Sequence, residues 1–313
     1  MSSAMGARNV SPSQRSLRWL AAMALTLGLT CGAFAQESVA TRPAIKNFKL
    51  GALEMSVLRD GGLAIPNDGS IFGLHEDPTV VAKVLTSAGA PSDKIRLDID
   101  ALLIRMPGHL VLVDAGYGPA GHGVVRRSLT LAGLSPTDIT DILLTHAHPD
   151  HAGGLVDAQG RSAFPKALVR MSAKEWIFMQ NQADTRAIAE AVKAQVKPFD
   201  PGSPVLPGIT PVALPGHTLG HVGYEIASQG HEMIDIGDVA HSAIVSLAKP
   251  EWTIRWDSNK QEGVNTRRQE LQRLSSRNEL MFAPHFPFPG VGRIEHADGG
   301  FRFQPALPSD KQE

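Results

Sequence analysis

Thiols are nearly absent from this sequence: its 313 residues include one cysteine, Cys31. That cysteine lies inside a segment built like a secretory leader. Residues 1–18 carry Arg8, Arg15 and Arg18 and no acid, the apolar stretch WLAAMALTLGLT follows over 19–30, and Ala33 and Ala35 supply small residues at −3 and −1. This pattern predicts cleavage after Ala35 and export to the periplasm or beyond. Gly28 and Thr30 stand where a lipid-attachment site carries leucine and a small residue, so Cys31 is read as part of a discarded leader. The exported chain then has no thiol, forms no disulfide, and must hold any metal ion through His, Asp or Glu. Long apolar runs are also missing. The leader's run of 12 residues falls short of the roughly 20 needed to span a bilayer as a helix, so no membrane attachment is expected after cleavage. Nor is there an excess of positive charge. The formal net charge of −1 becomes −4 once the three leader arginines are lost, and no long basic run occurs. A dedicated nucleic-acid or anionic-membrane surface is thereby excluded.

What is present is a core-forming chain, 42% hydrophobic and 19% charged, enough for one large domain. We place the leader at 1–35, a polar, poorly ordered stretch at 36–47, a single domain at 48–306 and a tail at 307–313. KLGALEMSVLRDGG reads as a strand ending in a turn, with DG and GG as breakers. LDIDALLIRMPGHLVLVDAG reads as a hairpin, GVVRRSLTLAG as a helix stopped by glycine, and DITDILLT as a buried strand. In the second half KALVRM is strand-like, and SAKEWIFMQ and DTRAIAEAVKAQV are helical. ITPVALPGH, VGYEIAS and HEMIDIGD give three more strands. TRRQELQRLSS is an amphipathic helix, with Thr266 and Gln269 spaced as a capping box. ELMFAPH is a last inner strand, and GRIEH with GFRFQP a closing hairpin. Two successive mixed α/β halves imply two packed sheets with helices outside, and chemistry at the strand ends.

The strand DILL runs into THAHPDHAGG, which places His146, His148, Asp150 and His151 within six positions. Alternate side chains of such a loop point in two directions, so one segment can serve two adjacent ions. Pro149 stiffens the turn, and Gly153 and Gly154 let the backbone pass close to its neighbour. Imidazole and carboxylate together suit zinc or a related divalent ion. One loop supplies too few ligands for two ions. Three more candidates follow other apolar strands: His217 in LPGH, Asp238 in DIGD and His285 in FAPH.

The order THAHPDH…GH…GD…H resembles the metallo-β-lactamase superfamily over about residues 47–306. The resemblance implies an α/β fold, an αββα four-layer sandwich with two mixed sheets and helices on the outer faces. It implies one ion on His146, His148 and His217, a second on Asp150, His151 and His285, and Asp238 bridging both. Asp114 matches an aspartate that orients a ligand histidine, and His221, four after His217, stands behind the ligands. His75, His109, His122, His231 and His296 are read as non-ligands. β-Lactamases of this superfamily lack the bridging aspartate, so Asp238 argues against antibiotic hydrolysis. GDVAHSAIVSL, WDSNK, RRQEL, APHFPFPGVGRI and GFRFQP look closer to methyl parathion hydrolase and its relatives, with quorum-quenching acyl-homoserine lactonases sharing the ligand set.

The resemblance implies an esterase, lactonase or phosphotriesterase working through a hydroxide generated by two divalent ions. Zinc is the first expectation, and manganese, cobalt or iron would fit the same ligands. Asp150 and Asp238 would orient the nucleophile or carry its proton. The expected substrate is a small, neutral ester or lactone. Trp176, Met179, Trp256, Phe286 and Phe288 are expected around it, with Phe178 on the same stretch as Trp176. His241 stands where the phosphotriesterase relatives carry an aliphatic residue, and the GYGPAGHG loop near Tyr117 lacks their phenylalanine. Both departures count against efficient phosphotriester hydrolysis. They leave His241 as a candidate proton donor to a leaving alkoxide. A homodimer is what the resemblance suggests, and a metal-binding module without turnover is the alternative outside the enzymes.

Overall fold

The computed structural model describes residues 41–308 and the backbone of Glu37–Ser38. The leader over 1–35 and the end of the tail lie outside the described residues. In chain order the elements are β1 (Glu37–Ser38), β2 (Ile45–Leu50), β3 (Leu53–Pro66), α1 (Pro78–Ser87), β4 (Lys94–Met106), β5 (His109–Val113) and α2 (Val125–Leu131). There follow β6 (Asp141–Leu143), α3 (Pro149–Ala152), β7 (Leu168–Ser172), α4 (Ala173–Asn181), α5 (Arg186–Val192), β8 (Val196–Phe199), β9 (Ile209–Ala213), β10 (Val222–Ser228) and β11 (His231–Asp235). The chain continues through α6 (Val245–Ala248), α7 (Lys260–Arg277), β12 (Leu280–Phe282), β13 (Val291–Ala297) and β14 (Gly300–Pro305).

One sheet runs β1-β3-β4-β5-β6-β7-β8, with β2 also on β3, and the other runs β14-β13-β12-β11-β10-β9. Both are mixed. β5 to β8 are parallel, as are β11 and β12, and the remaining pairs are antiparallel. The period-two alternation of side chains along a strand sorts the core into layers. Leu102, Ile104, Val111, Val113 and Leu143 face the second sheet and meet Val222, Tyr224, Ile226, Met233 and Phe282. Their neighbours Ala101, Leu103, Leu112, Ile142 and Leu144 face outward, onto Val125 and Leu129 of α2, Met179 of α4 and Ala189 and Val192 of α5. On the far side Ile234, Met281 and Ile294 pack under Leu271 and Leu274 of α7. This is an αββα sandwich with two mixed sheets and helices outside. A fourth cluster joins the long ends of β3 and β4 to Val81 and Leu85 of α1 and to Phe72 and Ile254.

Some local readings differ. The stretch expected to be polar and poorly ordered, 36–47, contains β1 and the start of β2, both paired antiparallel with β3. β3 does not stop at DGG but continues to Pro66, and the register shift between Arg59 and Gly61 shows the glycines marking a bulge within a strand. The capping box at Thr266 is not formed. α7 starts six residues earlier at Lys260, where the Asn259 side chain accepts from the Glu262 amide, and the Thr266 hydroxyl instead donates to the Pro215 carbonyl at 2.6 Å. Helix α1 and strand β8 had no counterpart in the sequence reading. Among the described residues no helix is long and apolar enough to cross a membrane.

Candidate binuclear metal centre

The polar residues after β5, β6, β9, β11 and β12 converge at one edge of the sandwich. Asp114 ends β5 with φ 59°, a left-handed conformation that favours glycine or a short polar side chain. From there its carboxylate accepts from the Thr145 amide (2.9 Å), the Thr145 hydroxyl (2.8 Å) and His151 Nδ1 (2.7 Å). The histidine loop is thus tied to the neighbouring strand end. It also passes very close to the 115–118 segment: a Cβ on Gly154 would lie 1.8 Å from the Ala115 carbonyl oxygen. That segment is itself held by Asp60, a fully buried acid accepting from the Tyr117 amide (2.7 Å) and the Val125 amide (2.6 Å). Burial pushes Asp60 up to about 6, against those hydrogen bonds.

Two sets of donors face each other across Asp238. In the first, His217 Nε2 lies 2.8 Å from His148 Nδ1 and 3.2 Å from His146 Nε2, and the last two are 3.1 Å apart. In the second, His285 Nε2 lies 3.3 Å from His151 Nε2 and 3.4 Å from Asp150 Oδ2. Asp238 Oδ2 is 3.6 Å from His146, 3.3 Å from His217 and 3.2 Å from His285, and Oδ1 is 3.3 Å from His151.

Tautomers show what this crowd is for. His285 Nδ1 faces the Asp98 carbonyl (2.8 Å), His151 Nδ1 faces Asp114, and His217 Nδ1 faces Asp257 Oδ1 (3.2 Å). His146 Nδ1 faces the Thr145 hydroxyl (3.0 Å), whose own proton is committed to Asp114. Each of these rear nitrogens meets an acceptor and carries the proton, so the front nitrogen of a neutral ring presents a lone pair. In the first set the neutral lone pairs of His146 and His217, 3.2 Å apart, repel unless a cation lies among them. A tetrahedral ion with Zn–N bonds of about 2.0 Å sets its donors about 3.3 Å apart, close to the spacing found. The donor set therefore fits two divalent cations.

Burial holds His146, His148 and His217 below the usual histidine range, keeping them in the neutral, ligating form. At His151 and His285 burial acts in the same sense, but Asp238 and Asp150 outweigh it and raise both. Burial would raise Asp238, yet His151, His285 and His241 hold its carboxyl well below the usual range. His221 is lowered to about 4 by burial; it donates to the Leu214 carbonyl and accepts from the Asp238 amide at 2.9 Å. It thus fixes the backbone of Asp238, behind the two donor sets.

Residues 96–251 match the family model described as the metallo-beta-lactamase superfamily. The chain carries a metallo-β-lactamase superfamily domain. Two solved structures resemble this chain over most of its length. AidC, a dizinc quorum-quenching lactonase in complex with its product N-hexanoyl-L-homoserine, superposes with a TM-score of 0.81 at 28% identity, covering 86% of this chain and 99% of that one. The hydrolase AbOPH of the beta lactamase superfamily gives 0.78 at 26% identity, covering 87% and 100%. Metallo-beta-lactamase domain-containing protein 1 of Xenopus laevis is 32% identical over 40% of this chain, which spans about half (47%) of that relative's length.

Around the superfamily centre, the expected ligands His146, His148, Asp150, His151, His217, Asp238 and His285 come together, and Asp114 and His221 stand behind them. His75, His109, His122, His231 and His296 join none of the potential metal-binding groups among the described residues. His241 is at the centre, 1% exposed, with Nε2 3.1 Å from Asp238 Oδ2 and neither ring nitrogen in a hydrogen bond. Its ring stacks on His285 at 5.5 Å and lies 5.2 Å from Trp256, which brings Trp256 beside the donor sets. The other expected wall residues are elsewhere. Met179 and Phe286 are fully buried in the outer cores of the two sheets, and Phe288 lies in the core between them under the Arg59 guanidinium. Trp176 lines a groove between α4 and α5 with Gln180, Arg186 and Lys193, none of them a ligand. Helical spacing explains the slip: Phe178, one position before Met179, turns toward the site and meets His148 at 6.0 Å between ring centroids.

The sequence reading missed Phe72, which packs edge-on against Trp256 (5.8 Å) and His241 (6.4 Å). It also missed Asp257 behind His217, and Glu175. Phe72 sits in a segment without periodicity, and the two acids gain their roles only through contacts distant in sequence.

Proposed function

We propose that this chain is an exported, binuclear metal-dependent hydrolase that opens lactones and cleaves small neutral carboxylic esters. The observation that carries the reading is the Asp238 carboxylate, with oxygens 3.2 to 3.6 Å from ring nitrogens of both donor sets. Held by His146, His148 and His217 on one side and by Asp150, His151 and His285 on the other, two divalent cations would supply a hydroxide at neutral pH and polarise the substrate carbonyl. The chain's own residues do the rest. Asp150 and Asp238 present carboxylate oxygens at the reacting centre, where they orient the nucleophile and accept its proton. His241, free of other hydrogen bonds, donates a ring proton to the departing alkoxide. Trp256, Phe72 and Phe178 form an apolar wall that favours an uncharged acyl or aryl group. The AidC likeness supports a lactone substrate. A β-lactam is disfavoured because the Asp238 carboxylate between the donor sets is a group that β-lactamases of this superfamily lack. Phosphotriesters rank below lactones, because His241 brings a polar group to the wall that would receive their ester arms.

The test is a substrate panel on protein loaded with two zinc ions: dihydrocoumarin, an acyl-homoserine lactone, phenyl acetate, methyl paraoxon and a β-lactam. The reading expects the highest kcat/KM on a lactone, with aryl ester next. Absence of turnover on every lactone and ester would overturn it.

A further inference from the structure

Glu175 is an acid with 0% exposure on the first turn of α4, and charged side chains are buried this completely only when paired or fully hydrogen-bonded. No cation faces it. Its partners are three donors from two different loops. Oε1 accepts from the Ala147 amide at 2.8 Å, and Ala147 separates His146 from His148. Oε2 accepts from the Thr218 hydroxyl at 2.7 Å and the Gly220 amide at 3.1 Å, immediately after His217. Ser172, which caps α4, completes the tie by accepting from the Glu175 amide and donating to the Gly220 carbonyl at 2.6 Å. The fit is close: a Cβ on Gly220 would lie 2.2 Å from the Glu175 amide nitrogen. The second donor set has no such link, since His151 and His285 are braced by Asp114 and by the Asp98 carbonyl.

We propose that Glu175 is a positioning residue selective for one of the two cations: its carboxylate clamps the loops of His146, His148 and His217 into a single three-nitrogen site. The claim rests on the binuclear reading above but not on any substrate. Glu175→Gln tests it with little change in shape. A carboxylate can accept from both loops at once. A carboxamide has one accepting oxygen, and its NH2 must face the amide of Ala147 or that of Gly220, so one loop loses the hydrogen bond from its backbone amide.

The readout is metal binding: competition of the two-cobalt protein against a chromophoric chelator, with the cobalt d–d spectrum followed at each equivalent. In Glu175→Gln one ion is expected to weaken by about 10- to 100-fold, with an altered spectrum for that ion, while the other keeps its wild-type affinity. Thr218→Val, which removes one of the three donors, should weaken the same ion by less. Tyr224→Phe serves as a matched destabilising control, because the buried Tyr224 hydroxyl donates to the Leu144 carbonyl at 2.8 Å and touches neither loop's clamp. It should lower stability and leave both affinities unchanged. Wild-type affinity and spectrum for both ions in Glu175→Gln would overturn the proposal. So would equal weakening of both ions, or the same weakening in Tyr224→Phe, since these mark a merely structural role. If wild type binds two ions but cleaves no ester or lactone, the functional reading fails and the clamp is still decided by these affinities.

Discussion

At the scale of single residues, the centre depends on where negative charge sits. Asp238 is 2% exposed and lies among His146, His151, His217, His241 and His285. Asp238→Asn keeps the shape and removes the charge, and should lower kcat/KM on the best lactone by on the order of 100-fold or more, with loss of bound metal. Near-normal rates with two metals retained would contradict that role. Asp60 makes a different prediction. Its raised value means that the folded state holds a proton which the unfolded state releases. Its ionisation therefore costs nothing below about pH 4, costs progressively more as pH rises toward about 6, and levels off above. Asp60→Asn removes that dependence. The stability difference between variant and wild type, from urea unfolding of the metal-loaded proteins, should shift in the variant's favour by about 1 kcal/mol from pH 5 to 7. A pH-independent difference would show that Asp60 is not the titrating group. The donor sets were legible in the sequence because a two-cation site needs His and Asp at strand ends, and HAHPDH holds four of them in six positions. Asp60, Glu175 and Asp257 were not, because an isolated acid in a sequence shows neither its burial nor its partners.

Among elements, the strands after which ligands appear were readable because their apolar runs end abruptly in small or turn-forming residues. Helix faces were harder. In α4 a one-position difference, 100° of rotation, separates Phe178 at the site from Met179 in the core. In α7 a capping-box pattern at Thr266 lies within a helix that begins at Lys260, because Asn259 and Glu262 provide a cap about two turns earlier. Asn259→Ala should therefore cost about 1 kcal/mol of unfolding free energy, measured by chemical denaturation. An unchanged midpoint would place the start of the helix elsewhere. Gly154 tests how closely two elements approach. With a Cβ 1.8 Å from the Ala115 oxygen, Gly154→Ala forces the histidine loop away from the 115–118 segment. The expected loss is about 1–3 kcal/mol together with weakened metal retention, and wild-type stability with full metal content would refute the close packing.

For the whole molecule, the sandwich follows from period-two patterning on strands that are buried on both faces. Leu102 and Leu103, adjacent in sequence, belong to different cores. That pattern and the ligand order were enough to imply the layered fold. What the pattern could not give was the pairing of the first described strands: β1 and β2 are short, and both pair with the long strand β3. Export is the prediction that belongs to the chain as a whole. Intact-mass analysis of the protein released by its host should find a mature form beginning at Gln36, and recovery of the uncleaved chain alone would reject the leader. The central claim, two cations acting together on a lactone, is tested most directly by titrating metal-free protein with zinc while following lactone opening. The account predicts that turnover rises with zinc, reaches its plateau at two equivalents per chain, and disappears on chelation. Full turnover without metal, or no turnover with both sites filled, would contradict it.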